Sequence, residues 1–240
     1  NSLFKQISLS EIPNLIERSQ FNKRRKSLFL FSEQIRTKLA SQFLRFEDYF
    51  IVDSMPLEIC KFSRHNRIKI CKDDFETAPS KGFCASQNSW FFGYKLHGVC
   101  SVTGVFHSLD ITKAEVHDVH FLKNIKQQMS DCILLGDRGY LSDSIQIDLF
   151  QSANIKLETP KRINQMNYKP QPYIFKKSRK RIETLFSQLC DQFLIRRNYA
   201  KTFEGFKTRI LAKITALTLV QYINKFIFDR PINNIKNQLI

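Results

Sequence analysis

The chain is short of acid. Asp and Glu number 22 against 38 Lys and Arg in 240 residues, giving a formal net charge of +16 and a pI near 9.7. Such a field draws polyanions, and nucleic acid is the usual one. Cysteines at metal-binding spacing are also missing. The six present (Cys60, Cys71, Cys84, Cys100, Cys132, Cys190) include no CxxC pair. Two fall in strand-like runs and no signal peptide precedes them, so the expectation is free thiols in a reducing cytosol rather than a disulfide framework. Cys60, His65 and Cys71 lack the paired short spacings of a structural zinc site. His117 and His120 read as helix-surface residues. Long apolar runs are absent as well. The most apolar stretch, 214–223, is flanked by Lys213 and Lys225 and at roughly ten residues suits a core helix rather than a membrane span. Aromatic and lipidation signals for membrane binding are missing too. Disorder is excluded by a composition 42% hydrophobic and 25% charged, enough for one good core with an appendage. The chain opens on Asn1 rather than Met, so further sequence upstream is expected.

What is present is an ordered series of elements. Helical patterns cover 11–18 and about 22–44, the second opening on the basic cluster Lys23-Arg24-Arg25-Lys26 and placing Leu28, Phe31, Ile35, Leu39 and Phe43 on one side. Tyr49-Phe50-Ile51-Val52 then reads as a strand closing on Asp53, with Pro56 stopping it. A long polar loop follows over 61–88, with Pro79 and Gly82 as breakers. Two strands over 90–102 and 105–111 turn at Thr103-Gly104. A polar helix over about 116–128 leads to a strand ending in Asp137, then a helix over about 142–152 closed by Asn154, and a last strand over 155–159 stopped by Pro160. This order predicts an α/β fold: a mixed five-stranded sheet flanked by helices, with an N-terminal helical preface and C-terminal helices. Right-handed crossovers would set the first and fourth strands side by side, making Asp53 and Asp137 neighbours.

A third acid stands in the most basic part of the chain. Residues 161–230 hold 16 Lys or Arg against four acids, a local excess of twelve. In their midst lies Lys176-Lys177-Ser178-Arg179-Lys180-Arg181-Ile182-Glu183. Ile182, Leu185, Phe186, Leu189 and Phe193 recur at helical spacing, so Glu183 sits at the edge of a buried stripe with Arg179 one turn behind it. Taken singly, Glu183 is consistent with an i, i+4 ion pair on a solvated face, and each Asp with a turn or helix-cap residue. Together they read differently. Catalytic groups of open α/β sheets collect at the carboxyl ends of strands. Three converging carboxylates would repel one another unless protonated or neutralised. Divalent Mg²⁺ or Mn²⁺, two ions in all, would supply that neutralisation and bind phosphate oxygens.

These residues carry a family resemblance. Val52-Asp53-Ser54-Met55-Pro56, Gly136-Asp137-Arg138-Gly139-Tyr140 and the run from Arg179 through Glu183 to Leu189 resemble the three acidic motifs of bacterial insertion-sequence transposases of the DDE type. Gly93-Tyr94-Lys95-Leu96-His97 is similar to that group's second strand, and the resemblance extends over roughly 11–228. It implies an RNase H-like domain that cleaves and joins DNA at element ends, with Asp53, Asp137 and Glu183 as catalytic and metal-binding triad. It departs at position 176, Lys where many relatives carry Tyr, and at 190, Cys where they carry Lys. Of those signature contacts only Arg179 carries over.

The expected partners are double-stranded DNA, both element end and target, and a second copy of the chain on that DNA, with no membrane. Lys95, Arg138, Arg179 and Lys180 are candidate phosphate contacts. The expected location is the bacterial cytoplasm, associated with the nucleoid. The expected division is a helical segment over 1–48, a catalytic domain over 49–228 and a tail over 229–240. Two alternatives stay open: an RNase H-like nuclease without strand transfer, and an inactive truncated transposase that retains only DNA binding.

Overall fold

The computed structural model describes residues 16–161, 168, 170 and 172–235. Its centre is a long antiparallel pair, β1 (Tyr49–Cys60) against β3 (Ser89–Ser101), in which Asp53 stands opposite Gly98. The far edge of β3 is shared. β2 (Ser80–Cys84) pairs with its first residues and β4 (Phe106–Lys113) with the rest. On its other side β1 pairs in parallel with β5 (Cys132–Leu135), and β5 in parallel with β6 (Ile155–Glu158). The first and fourth strands anticipated from sequence are therefore neighbours.

Several sequence expectations need correction. The sheet has six strands rather than five, because part of the polar loop over 61–88 forms β2. Gly82, read as a breaker, lies inside that strand, where a side chain would meet Ala114 and the Phe91 ring within 2.8 Å. Pro56 does not stop β1. The ladder to β5 ends at Ile51, so the edge beyond it has no partner strand there and tolerates a residue lacking an N–H. The helix anticipated over 22–44 is two, α1 (Arg18–Ser27) and α2 (Phe29–Leu44), divided at Leu28. The helix over 116–128 shrinks to a 3-10 turn at Asp118–Phe121 and the single turn α3 (Leu122–Ile125). Positions 11–15 and 236–240, parts of the expected first helix and tail, lie outside the described residues.

Helices cover both faces of the sheet. On one face Phe50, Val52, Val99, Leu134 and Ile155 pack with α3 and with α4 (Asp143–Ala153) through Leu122, Ile125 and Leu149. On the other, Ile51, Met55, Leu57, Leu96 and Leu135 meet Ile182, Leu185 and Leu189 of α5 (Tyr173–Asp191) and Phe206, Ile210 and Ile214 of α6 (Phe203–Tyr222). Helix 203–227 is long and apolar enough by composition to cross a membrane, with a mean hydropathy of 1.2. Its buried residues are instead core contacts and include Gln221, whose amide donates to the Gly104 carbonyl at 2.6 Å and anchors the β3–β4 turn. The preface is pinned to the sheet by Arg36, 1% exposed, which donates to the Phe106 and His107 carbonyls at 3.0 and 3.1 Å and pairs with Glu33.

Gly93 marks where β1 bulges. Pairing slips between Glu58 and Cys60 opposite it, its φ is +157°, and a Cβ there would stand 2.2 Å from the Leu57 carbonyl oxygen. Gly93→Ala is therefore expected to destabilise the domain by about 2–3 kcal/mol, read as a lower urea midpoint. An unchanged midpoint would refute the close approach.

Candidate active site

The parallel register brings two of the acids together. Ile51 pairs with Leu135 in the last rung between β1 and β5. Asp53 and Asp137 each lie two residues further, on the same pleat as those buried leucine and isoleucine side chains and so on the face covered by α5. Adjacent strands run roughly 5 Å apart, and β5 stays close to β1 past its last rung: a Cβ on Gly136 would sit 3.3 Å from the Val52 side chain.

Both aspartates are half-buried, and each is held by a backbone amide. Asp53 Oδ1 accepts from Ser54 N at 2.8 Å. Asp137 caps the 3-10 turn Arg138–Tyr140, its Oδ1 accepting from Gly139 N at 2.7 Å. The capping alternative thus describes part of what Asp137 does. Among the described residues the second oxygen of each carboxylate makes no hydrogen bond.

Glu183 comes from α5, held onto β1 by the stripe Ile182, Leu185, Phe186 and Leu189. That helix starts at Tyr173, so Glu183 lies in its middle. The carboxylate is exposed and has no ion pair with Arg179. Both residues instead act on Asp53. Burial pushes the Asp53 carboxyl up to about 7; the Ser54 amide opposes this, Asp137 adds to it, Arg179 opposes it and Glu183 adds again. The three acids therefore share one electrostatic site midway along β1, just past its last rung with β5.

As placed, no three His, Cys, Asp or Glu side chains among the described residues stand close enough to grip a metal ion. The donor set nonetheless fits a hard divalent cation: carboxylate oxygens only, at a point where burial, with Asp137 and Glu183 adding to it, raises the Asp53 carboxyl to about 7. The amide contacts to Asp53 and Asp137 are of the kind that orient metal-ligating carboxylates.

Arg138 and Lys180 are exposed beside these acids in sequence, and Arg179 is half-buried. Lys95 is placed differently. Alternation along β3 turns it toward the face away from α5, where its ammonium donates to the Val116 carbonyl at 2.9 Å and pairs with Asp118 at 3.0 Å. It is an ion-pair partner inside the fold. Its partner Asp118 was not singled out from sequence, and neither was Tyr140. The Tyr140 phenol is fully buried against Gly136. Burial raises its pKa, with Asp118, Asp53 and Asp137 adding to the rise and Ser54 opposing it. The aromatic two places past Arg138 in the Gly136–Tyr140 motif was the available signal for Tyr140; Asp118 had none. His97 backs this group, stacked on Phe121 at 5.0 Å with Nε2 2.8 Å from the Thr112 hydroxyl. Burial pushes it down to about 4 and Lys95 contributes, against Asp118.

A mixed sheet with an antiparallel side, two parallel crossovers and acids just past the last rung between β1 and β5 is the arrangement of an RNase H-like domain. Residues 45–219 match the family described as "Transposase DDE domain", and the chain belongs to that family. No curated protein matches it in sequence. Among solved structures it is similar to a piggyBac transposase synaptic complex with hairpin DNA, at 10% identity and a TM-score of 0.49, covering 77% of this chain and 49% of that one. It is also similar to a Mos1 transposase paired-end complex with left transposon end, at 14% identity and a TM-score of 0.27, covering 87% of this chain and 62% of that one. The Mos1 mariner paired-end complex with Mn gives 15% identity and a TM-score of 0.25, covering 87% of this chain and 63% of that one.

The raised Asp53 value has a consequence for stability without metal. Native Asp53 keeps its proton up to about 7, whereas an unfolded Asp releases it near 4. The native state therefore binds more protons across that window, and stability falls as pH rises through it. Asp53→Asn should lose this slope and gain on the wild type above pH 7. Urea midpoints at about pH 5 and 8 in EDTA check this, and equal slopes in both proteins would show that Asp53 is not the titrating group.

Proposed function

We propose that this chain is the catalytic part of a DNA transposase, which cuts a phosphodiester bond at an element end and joins the freed strand to target DNA. The observation that carries this reading is the register that puts Asp53 and Asp137 each two residues past the last rung between β1 and β5, on the face covered by the helix of Glu183, in a chain of net charge +16. Acids gathered so against a basic background fit phosphate chemistry better than a solvated surface.

Asp53, Asp137 and Glu183 would hold Mg²⁺ or Mn²⁺, two ions in all, whose contribution is to activate the attacking oxygen and stabilise the leaving one. The protein's own part is positional. The Ser54 and Gly139 amides fix the two aspartates, and the buried stripe of α5 holds Glu183 beside them. Arg138, Arg179 and Lys180 bind the phosphates flanking the scissile bond. In the first step a water oxygen bonds to phosphorus and the bond from phosphorus to the 3′ oxygen breaks, that oxygen leaving as a 3′-hydroxyl. In the second the 3′-hydroxyl oxygen attacks a target phosphodiester at the same site, loses its proton, and displaces another 3′ oxygen. Positioning and charge stabilisation account for the rate, with no covalent protein intermediate.

Synapsis of two element ends calls for two copies of the chain on DNA, and a protein acting on bacterial DNA works in the cytoplasm at the nucleoid. Residues 49–228 form the catalytic unit in this reading, with 1–48 and 229–240 as its flanks.

Asp53→Asn, Asp137→Asn and Glu183→Gln are each expected to lower cleavage of a labelled element end by about 10³-fold or more while leaving duplex binding within a few-fold of wild type. A variant that cuts at the wild-type rate removes its residue from the triad. Wild-type binding should weaken by about 10³-fold or more between about 50 and 200 mM salt if six or more phosphates are contacted. A pre-cleaved 3′-hydroxyl end that is never joined to target would reduce the activity to hydrolysis.

A further inference from the structure

The basic cluster at the start of the chain is not absorbed by the carboxylate site, and the fold gives part of it a specific surrounding. Helix α1 lies on α6. On α1, half-buried Arg25 donates from Nη2 to Asn22 Oδ1 at 3.2 Å and stands 5.8 Å from the Phe21 ring centroid, while its Nε is buried without a partner. On α6, Arg209 and Lys213 are one helical turn apart and so share a face. Lys213 Nζ reaches across to the loop after α5, donating to the carbonyls of Leu194 at 2.5 Å and Arg197 at 3.2 Å.

None of the three cations is in an ion pair among the described residues. They act on one another instead. Burial lowers the Lys213 ammonium to about 8, with Arg209 and then Arg25 adding to the drop. Burial also lowers Arg25, with Arg209 contributing. Half-buried like charges from two helices, with an unsatisfied guanidinium N–H among them, suit an anion.

We propose that Arg25, Arg209 and Lys213 form a second phosphate-binding site, which takes the backbone of duplex DNA away from the reacting bond. Two guanidinium groups present paired N–H donors that match phosphate oxygens, and the ammonium adds a point charge. The position suits a flanking contact. The C-terminal end of α5 lies about 12 Å beyond Glu183 at the helical rise per residue, and the Lys213 contacts follow directly after it. A duplex carries a phosphate for every ~1.7 Å of its axis, so DNA seated at the carboxylates has phosphates at that separation. This inference rests on DNA being the substrate.

The test compares three full-length proteins by fluorescence anisotropy with a labelled duplex between about 50 and 200 mM salt: wild type, Arg25→Gln/Arg209→Gln/Lys213→Gln, and a control with equal charge removed, Lys61→Gln/Lys69→Gln/Lys72→Gln. The cluster variant should bind about 10- to 100-fold more weakly near 100 mM salt, and its salt slope should fall by about two to three, near 0.9 for each phosphate no longer neutralised. The control should weaken clearly less. Without DNA, the cluster variant should melt no lower than wild type, because mutual repulsion has been removed. Equal weakening in cluster and control variants would reduce the effect to net charge and overturn the site. Wild-type affinity in the cluster variant would overturn it too, while leaving the proposed function intact. A wild-type protein that binds no duplex would remove both.

Discussion

Parallel pairing of residues 49–51 with 133–135 is the constraint on which the site depends, because it converts two distant sequence positions into neighbours. Each strand contributes an acid two residues past the shared last rung, and the pleat sends both toward α5. A slip of one residue in that register would turn one aspartate to the opposite face. The register is defended by burial: Ile51, Leu134 and Leu135 have no exposed surface, and Phe50 and Val52 on the alternate pleat are almost as enclosed. Hydrophobic packing on both faces of a short strand pair thus fixes an arrangement of charges that repel one another.

That repulsion is tolerated because the protein surrounds it unevenly. Backbone amides take one oxygen from each aspartate, Arg179 offsets part of the charge on Asp53, and Glu183 remains exposed to solvent. Behind the aspartates the fold places a buried phenol, a stacked imidazole and the Lys95–Asp118 pair, so the site is backed by enclosed polar groups. An isolated acid of this kind would be neutral or surface-bound. Three of them near one another, within a strongly cationic chain, set opposite charges side by side.

Most of the sheet was legible in sequence because its strands are apolar, β-branched runs ended by acids or turn residues, and the crossover rule orders them. β2 was not legible. Its Ser80–Cys84 sequence is short, contains a glycine and lies in a charged segment; it forms a strand because β3 extends past β4 and leaves a free edge to pair. The division at Leu28 was equally hidden, since the apolar periodicity runs through it. Within the site, Asp53, Asp137 and Glu183 were recognisable because their motifs are local. The pairing of Lys95 with Asp118 was not legible, because a motif says nothing about which acid from another loop meets that face of the strand.

The sequence by itself determined the basic field, the strand order, the three acidic motifs and the amphipathic stripe that carries Glu183, since each is a property of composition or of spacing along the chain. Only the tertiary structure decided which of those charges act on each other. Electrostatic energy depends on separation in space and on burial, and neither is written in the local pattern: Arg179 acts on Asp53 rather than pairing with Glu183, Lys95 turns inward to Asp118, and Arg25 meets Arg209 and Lys213 across two helices nearly the whole chain apart.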